Sequence, residues 1–278
     1  MTYESAVRLS IFTGIFAVMA VWEVLAPRRG QTLGRAVRWP GNIGIVVLDT
    51  VLVRTLFPMS AVAIALWCEA RGYGLMHLLA VPAWIAIPIS VIILDLAVYG
   101  QHVMFHATPM LWRIHRMHHA DVEFDVTTGS RFHPIEIVAS MLIKIGVVAL
   151  LGAPAVGVLA FEVLLNATAM FNHSNVRLPL GLDRIARLLV VTPDMHRVHH
   201  SIDPQETHSN FGFNMPWWDR LFGTYRGQPA VGHDGMTIGL PIFRDPKDQR
   251  LDNMLTQPFR NPEAPRVAAT AADTRRPN

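Results

Sequence analysis

Long apolar runs alternate with short polar segments along this 278-residue chain. The first run, Val7 to Leu25, is long enough for a membrane helix and is closed by Pro27. Ile43 to Leu66 reads as a second span, with Asp49, Arg54 and Pro58 inside it. Ionisable groups at that depth are costly, so a polar contact between Asp49 and Arg54, or snorkelling, is expected. Glu69 to Leu79 is short and glycine-containing and suits an interfacial turn. Val81 to Tyr99 is a third span that runs directly into His102 and His106. Ala107 to His133 is polar. Ile135 to Leu151 and Ala153 to Phe171 are apolar again, parted by the breaker Gly152-Ala153-Pro154. The pattern predicts an all-α polytopic membrane helical bundle.

Composition strengthens that reading. Hydrophobic residues make up 51% of the chain and charged residues only 16%, against about 25% charged in a typical soluble domain. The formal charge of +3 is small, so the basic residues orient the chain in a bilayer rather than bind nucleic acid. Arg28, Arg29, Arg35 and Arg38 follow the first run and place that loop in the cytoplasm. The amino terminus is then outside, and the third span delivers His102 to the cytoplasmic side, where Arg177, Arg184 and Arg187 also stay. The expected location is an inner or plasma membrane, crossed several times. Pro27-Arg28-Arg29 stands where a signal peptide would end in small residues, so no cleavable leader is evident. The single cysteine, Cys68, allows neither an internal disulfide nor a CxxC site. Three regions are expected: membrane helices over 1–80, a catalytic region over 81–226, and an extension over 227–278, disordered from about 261.

Histidine supplies the chemistry. Three clusters read His102-Val-Met-Phe-His106, His115-Arg-Met-His118-His119 and His196-Arg-Val-His199-His200. At this chain's histidine frequency one HxxHH box is expected about 0.03 times by chance, so two are unlikely to be accident. Positions i, i+3 and i+4 share a helix face, so each cluster can aim two or three imidazoles at one point. Eight histidines are too many for one tetrahedral zinc with its four ligands. With His173 there are nine candidates, enough for two ions with four or five nitrogens each. Imidazole suits iron, zinc, copper and nickel and not calcium or magnesium. Because His119 and His196 must reach one site, the two apolar runs between them must leave and return to the same side, as a helical hairpin.

The HxxxH, HxxHH and HxxHH clusters following membrane spans resemble the fatty acid hydroxylase/sterol desaturase superfamily. So do Thr192-Pro193-Asp194-Met195 before the last box, Asn210-Phe211-Gly212, and Trp218-Asp219-Arg220-Leu221-Phe222-Gly223-Thr224-Tyr225. The likeness runs from about 85 to 226. It implies a membrane di-iron oxidoreductase with a cytoplasmic histidine-rich helical cap. It implies catalytic and metal-ligating roles for His102, His106, His115, His118, His119, His173, His196, His199 and His200. Such an enzyme uses dioxygen and two external electrons to attack an unactivated C–H bond of a lipid. The lipid is a sterol, a fatty acyl chain or a related molecule. Hydroxylation and desaturation begin with the same hydrogen abstraction, so both stay open. The chain shows no GxGxxG, flavin motif or haem domain, so a separate electron-transfer protein is the expected donor. Some relatives carry a further histidine directly before the last box, where this chain has Met195; Asn172, His133 or His208 could fill that position.

Two alternatives use the same residues: a transition-metal transporter with histidines as its pathway, and a zinc-bound structural protein. A transporter would place its ligands within several spans near the midplane, whereas these sit at helix ends and in polar segments. Asp95, Glu136, Asp194 and Asp219 could orient imidazoles through their second ring nitrogen. Trp217 and Trp218 read as interfacial aromatics, and His77 and His233 as ordinary interfacial or loop residues.

Overall fold

The computed structural model describes residues 3–262, with side chains from Arg8 onward. The expected disordered tail therefore lies, from residue 263 on, outside the described residues. These residues form helices and turns, with two isolated bridges (Pro27 to Val176 and Ser201 to Ile238) and no strand. In chain order the helices are α1 (Tyr3–Leu25), α2 (Arg35–Leu56), α3 (Ala61–Arg71), α4 (Leu75–Leu78), α5 (Ala83–Ala107), α6 (Pro109–His119), α7 (Pro134–Leu151) and α8 (Ala155–Asn172). The shorter ones follow: α9 (Leu180–Ala186), α10 (Pro193–His199), α11 (Pro204–Thr207), α12 (Trp217–Leu221), α13 (Gly232–Gly235) and α14 (Leu251–Thr256).

Among the described residues five helical stretches are long and apolar enough to cross a bilayer: Arg8–Leu25, Arg35–Leu78, Ala83–Ala107, Pro134–Leu151 and Ala155–Asn172. The second is not one rod. The expected span over Ile43–Leu66 breaks at 57–60, between α2 and α3. Pro58 has no N–H to donate and biases Phe57 away from helical geometry. Ser60 then starts α3 afresh by accepting the Ala63 N–H on its side chain at 3.2 Å. No hydrogen bond or ion pair joins Asp49 to Arg54, so of the two expected alternatives the polar contact is not formed.

The helix directions put the histidines at one end of the bundle. α1 ends there, with Glu23 accepting the backbone N–H groups of Val126 and Asn175 at 2.7 and 2.8 Å. α2 begins there, with Asn42 donating to Asp121 and Thr127. α5 and α8 end there and α7 begins there. At the far end the chain folds back through α3 and α4, and Gly74 meets Gly152 in the α7–α8 turn. A Cβ on Gly74 would stand 2.2 Å from the Gly152 nitrogen, so that contact requires glycine. The hairpin predicted between the second and third histidine boxes is therefore present as α7 and α8.

Its legs splay. α7 packs on α2, α3 and α5, whereas α8 packs on α1, α3 and α5. Ala61 and Ala65 of α3 let that helix approach Leu94, Val148, Val158 and Phe161 closely. Between the splayed legs lies an apolar cavity of about 630 Å³, lined from α1, α2, α5, α7 and α8 and reaching His102, His115 and His118. Outward faces of the long helices expose Val18, Val21, Leu142, Leu150 and Leu164, as lipid contact requires. α9, the turn after it and α12 expose Leu182, Ile185, Leu189, Leu221 and Phe222. Phe222 stacks on Tyr99 of α5 with ring centres 5.4 Å apart. That position suits helices lying in the headgroup boundary.

The end that carries the histidines is polar and tightly bonded. Arg38, read from sequence as one of four arginines in a loop, is fully buried in α2. Its guanidinium grips Asp121 at 2.6 and 2.8 Å and Asp125 at 2.7 Å. Arg28 pairs with Asp194 and Asp234, and Arg29 donates to the carbonyls of His233 and Met236. Much of that basic loop is thus internal structure. The acidic run Asp121, Glu123, Asp125 after the second box was the sequence signal for it.

Candidate metal centre

The nine predicted histidines converge into two adjacent groups. His102, His106, His115, His119 and His199 form one, and His118, His173, His196 and His200 form the other; the ligand atoms within each lie within 4.8 Å of one another. All nine rings are buried. Each HxxHH box is shared out. Its first and last histidines enter one group and its middle histidine enters the other. His115 and His119 join the five-membered group while His118 crosses over. His196 and His200 join the four-membered group while His199 crosses the other way. Helix geometry explains this. At about 100° per residue, i and i+4 differ by about 40°, while i+3 lies about 60° away on the other side. Each box therefore aims two rings at one point and the third at its neighbour, rather than all three together.

The local folds follow from sequence. Pro109 and Pro193 sit at the first turns of α6 and α10, where a missing N–H costs nothing. Thr192 caps α10 by accepting the Met195 N–H. His173 caps the end of α8. Asp219 accepts the N–H groups of Phe211 and Gly212 at 2.7 and 2.8 Å, and a Cβ on Gly212 would stand 2.6 Å from that carboxylate. Asn210, at φ +52°, donates to the carbonyls of Met195 and Arg226. The 209–212 loop is thereby pinned against α10.

That loop presents carbonyls to the histidines. His102 Nδ1–H donates to the Phe211 carbonyl at 2.8 Å, and His199 Nδ1–H to that of Ser209 at 2.7 Å. His115 Nδ1–H donates to Glu136 at 2.7 Å. His118 and His173 donate from Nδ1 to the carbonyls of Arg131 (3.2 Å) and Ala169 (2.9 Å). A neutral imidazole that donates from one nitrogen keeps a lone pair on the other. Burial first, and neighbouring imidazoles next, push His118, His119, His196, His199 and His200 well below the ordinary histidine range. Burial, partly offset by the Ala169 carbonyl, pushes His173 down to about 3. These rings are neutral at physiological pH.

The donor atoms fit metal ions. In the five-membered group the Nε2 atoms of His102, His106, His115, His119 and His199 are all buried without a hydrogen-bond partner. In the other, His173 Nε2 lies 3.2 Å from His118 Nε2 and 3.0 Å from His196 Nε2. His118 and His173 have both committed their Nδ1–H, so at that contact a lone pair faces a lone pair, whereas the Nδ1 of His196 is unpartnered. A cation held between the rings removes the repulsion of that pair. Imidazole nitrogens bound about 2 Å from a shared ion stand about 3 Å apart.

Of the four acidic candidates, Glu136 alone bonds a clustered histidine. Asp95 accepts from Trp218 Nε1 and the N–H groups of Asn214 and Met215, so Trp218 is a structural donor rather than only an interfacial ring. Asp194 serves Arg28 and Arg197. Burial would raise it, but the Arg197 guanidinium, with His233 and Arg28, holds it below the usual carboxylate range. Asp219 acts one step removed, through the Phe211 carbonyl. His208 lies outside both groups, its Nδ1 3.3 Å from His106 Nδ1. His133 caps α7 and reaches the Leu255 carbonyl. Asn172 donates to the Phe213 carbonyl. The carbonyls of Phe211, Ser209, Arg131 and Ala169 were not foreseen, because every residue has one and only the fold aims it.

Residues 87–224 match the family model of the fatty acid hydroxylases. The chain belongs to the fatty acid hydroxylase family. Ornithine lipid hydroxylase OlsE of Rhizobium tropici is 28% identical over 232 residues, which cover 79% of this chain and 67% of that protein. Human alkylglycerol monooxygenase is 27% identical over 158 residues, covering 56% of this chain and 34% of that protein. Fatty acid hydroxylase vlmA of Lecanicillium is 29% identical over 164 residues, covering 51% and 42%. The chain thus spans two thirds of the rhizobial relative and about a third of the human one. No solved structure matches it significantly. Family and fold together make this a multi-pass integral membrane protein of a lipid-modifying oxidoreductase family.

Proposed function

We propose that the chain is a di-iron lipid oxygenase, with lipid hydroxylation as its reaction and its histidine-bearing end in the cytoplasm. The observation that carries this reading is the facing of the His118, His173 and His196 Nε2 atoms at 3.0–3.2 Å, beside five orphaned Nε2 atoms. His102, His106, His115, His119 and His199 would hold one iron, and His118, His173, His196 and His200 the other. The ions, when bound, supply activation of dioxygen for attack on an unactivated C–H bond, with electrons from a separate protein.

The chain's own residues supply the rest. The cavity admits an acyl chain laterally between α1, α7 and α8 and leads it to His102, His115 and His118. Its apolar walls exclude water. Phe211, Ser209 and Glu136 fix the ring orientations from outside. The placing of the histidines at one end of the bundle supports an enzyme over a transport pathway, which needs ligands along the spans. Arg177, Arg184 and Arg220 at that end support the cytoplasmic orientation. The residues 81–226 form the catalytic region in this reading, between the helices of 1–80 and the extension of 227–278.

Elemental mass spectrometry of the detergent-purified protein tests the proposal. About two irons per chain are expected, with loss in a His118→Ala, His199→Ala double variant, which removes one ligand from each group. Lipid profiling of expressing cells should then show an oxygenated lipid. One metal per chain, zinc in place of iron, or an unchanged metal content in the variant would overturn it.

A further inference from the structure

The cavity carries a carboxylate with a buried oxygen that bonds nothing. α2 turns Val46, Asp49, Thr50 and Val53 towards it, the stripe expected of one helix face. Asp49 is 7% exposed, and its Oδ1 has no hydrogen-bond partner. Arg54 of the same helix and Arg8 of α1 also line the cavity, but no ion pair joins Arg54 to Asp49, and Arg8 pairs with Glu162 at 2.6 Å. Lys144, also in the cavity wall, is taken by Glu162 at 2.8 Å. Glu136 of α7 lines the same cavity. Glu136 spends Oε1 on His115 at 2.7 Å, and its Oε2 is likewise buried and unpartnered.

A carboxylate facing an aliphatic cavity is costly unless something pairs with it. A second carboxylate as its neighbour deepens that cost. A hydroxyl would satisfy one oxygen and leave the charge. An ammonium group offers three donors and a positive charge, and would answer both residues. We propose that Asp49 is a specificity-determining residue that anchors a primary ammonium group of the lipid substrate inside the cavity. The proposal rests on the lipid-oxygenase reading above. Because Glu136 lines the same cavity as Asp49 and bonds His115, the carbons oxidised are those within a few bonds of the ammonium, and the acyl chains run back along Phe12, Ile15 and Leu165.

Binding tests this separately from turnover. The iron-loaded full chain in nanodiscs is titrated with an ornithine-headed diacyl lipid and with its N-acetylated derivative, and bound lipid is read by native mass spectrometry. The wild type should prefer the free amine at least about tenfold, the range of a buried charged hydrogen bond. Asp49→Asn should bind both within about twofold at unchanged iron content, and Asp49→Glu should recover part of the preference. Equal binding of the two lipids by the wild type, or a preference that survives in Asp49→Asn, overturns the assignment. If Asp49→Asn fails to fold, the wild-type comparison decides alone. Discrimination without any lipid oxidation would remove the oxygenase reading and leave the ammonium site; oxidation without discrimination would do the reverse.

Discussion

The five-histidine and four-histidine groups come from the same three sequence boxes and are held in different ways. In the first, His102, His115 and His199 are each fixed at Nδ1 by Phe211, Glu136 and Ser209, and His106 leans on His208. In the second, His118 and His173 are fixed by Arg131 and Ala169, whereas Nδ1 of His196 and of His200 has no partner. Those two rings are positioned by packing, with Phe124 lying 5.1 Å from His200, centre to centre. Three of the five rings in the first group are oriented from outside, and His119 is the one placed there by packing alone. The other group depends more on its own contents, so it should be the first to loosen when they are removed.

Acid should expose this dependence most strongly. His118, His119, His173, His196, His199 and His200 have folded-state values depressed by burial, while the unfolded chain titrates near 6.5. Below that value the unfolded state binds more protons than the folded one, so stability falls as pH falls. Each histidine contributes about 1.4 kcal/mol per pH unit until its folded value is reached. For His173 that is about 3. Chelated protein should therefore lose melting temperature steeply from pH 6.5 downward, and hydrogen exchange should open α10 before α5. A melting temperature flat between pH 7 and 5, or α5 opening first, would break the comparison.

Arg38→Met tests the support of the weaker group. Arg38 is buried against Asp121 and Asp125, in the loop that leads to the Arg131 carbonyl under His118. Removing one partner of a buried pair costs about 3–5 kcal/mol, because the remaining charges lose their compensation. Denaturation should show a loss of that size, and iron loss should start in the four-histidine group. A change below about 1 kcal/mol would mean that the carboxylates find other partners.

Single ligand changes sharpen the same contrast. His118→Ala leaves three rings in its group and His199→Ala leaves four. Both should reduce activity about a hundredfold or more, above the effect of losing a supporting residue. Iron content should fall further in His118→Ala than in His199→Ala. Equal losses would make the two groups equivalent.

The sequence made the histidines legible because ligand spacing is a local property. HxxxH and HxxHH carry their own helix geometry, and all nine rings converge. The α7–α8 hairpin was also readable, since His119 and His196 had to return to one end. What stayed hidden depends on where a helix sits. The sharing of each box between two groups needs two facing helices, α6 and α10, in fixed register. Arg38 looked like a loop cation because its partners lie some 80 residues away in Asp121 and Asp125. Pro58 was visible but was read as lying inside a span, when with Ser60 it divides α2 from α3.

Glu136→Gln gives the smallest expected effect and the most selective one. A glutamine can still accept the His115 Nδ1–H, so the ring keeps its place, but the negative charge that raises its basicity is gone. Supporting residues of this kind change metal affinity or activity by about 10–100-fold. The effect should be confined to the five-histidine group, because among the described residues no other acidic side chain bonds a clustered ring. Chelator competition resolved by Mössbauer spectroscopy would separate the two proposed iron sites. Weakening of one site by about tenfold with the other unchanged would show that Glu136 tunes one group alone. Equal weakening of both would mean that the groups share more than the crossing histidines, and that orientation from outside is a property of the whole centre.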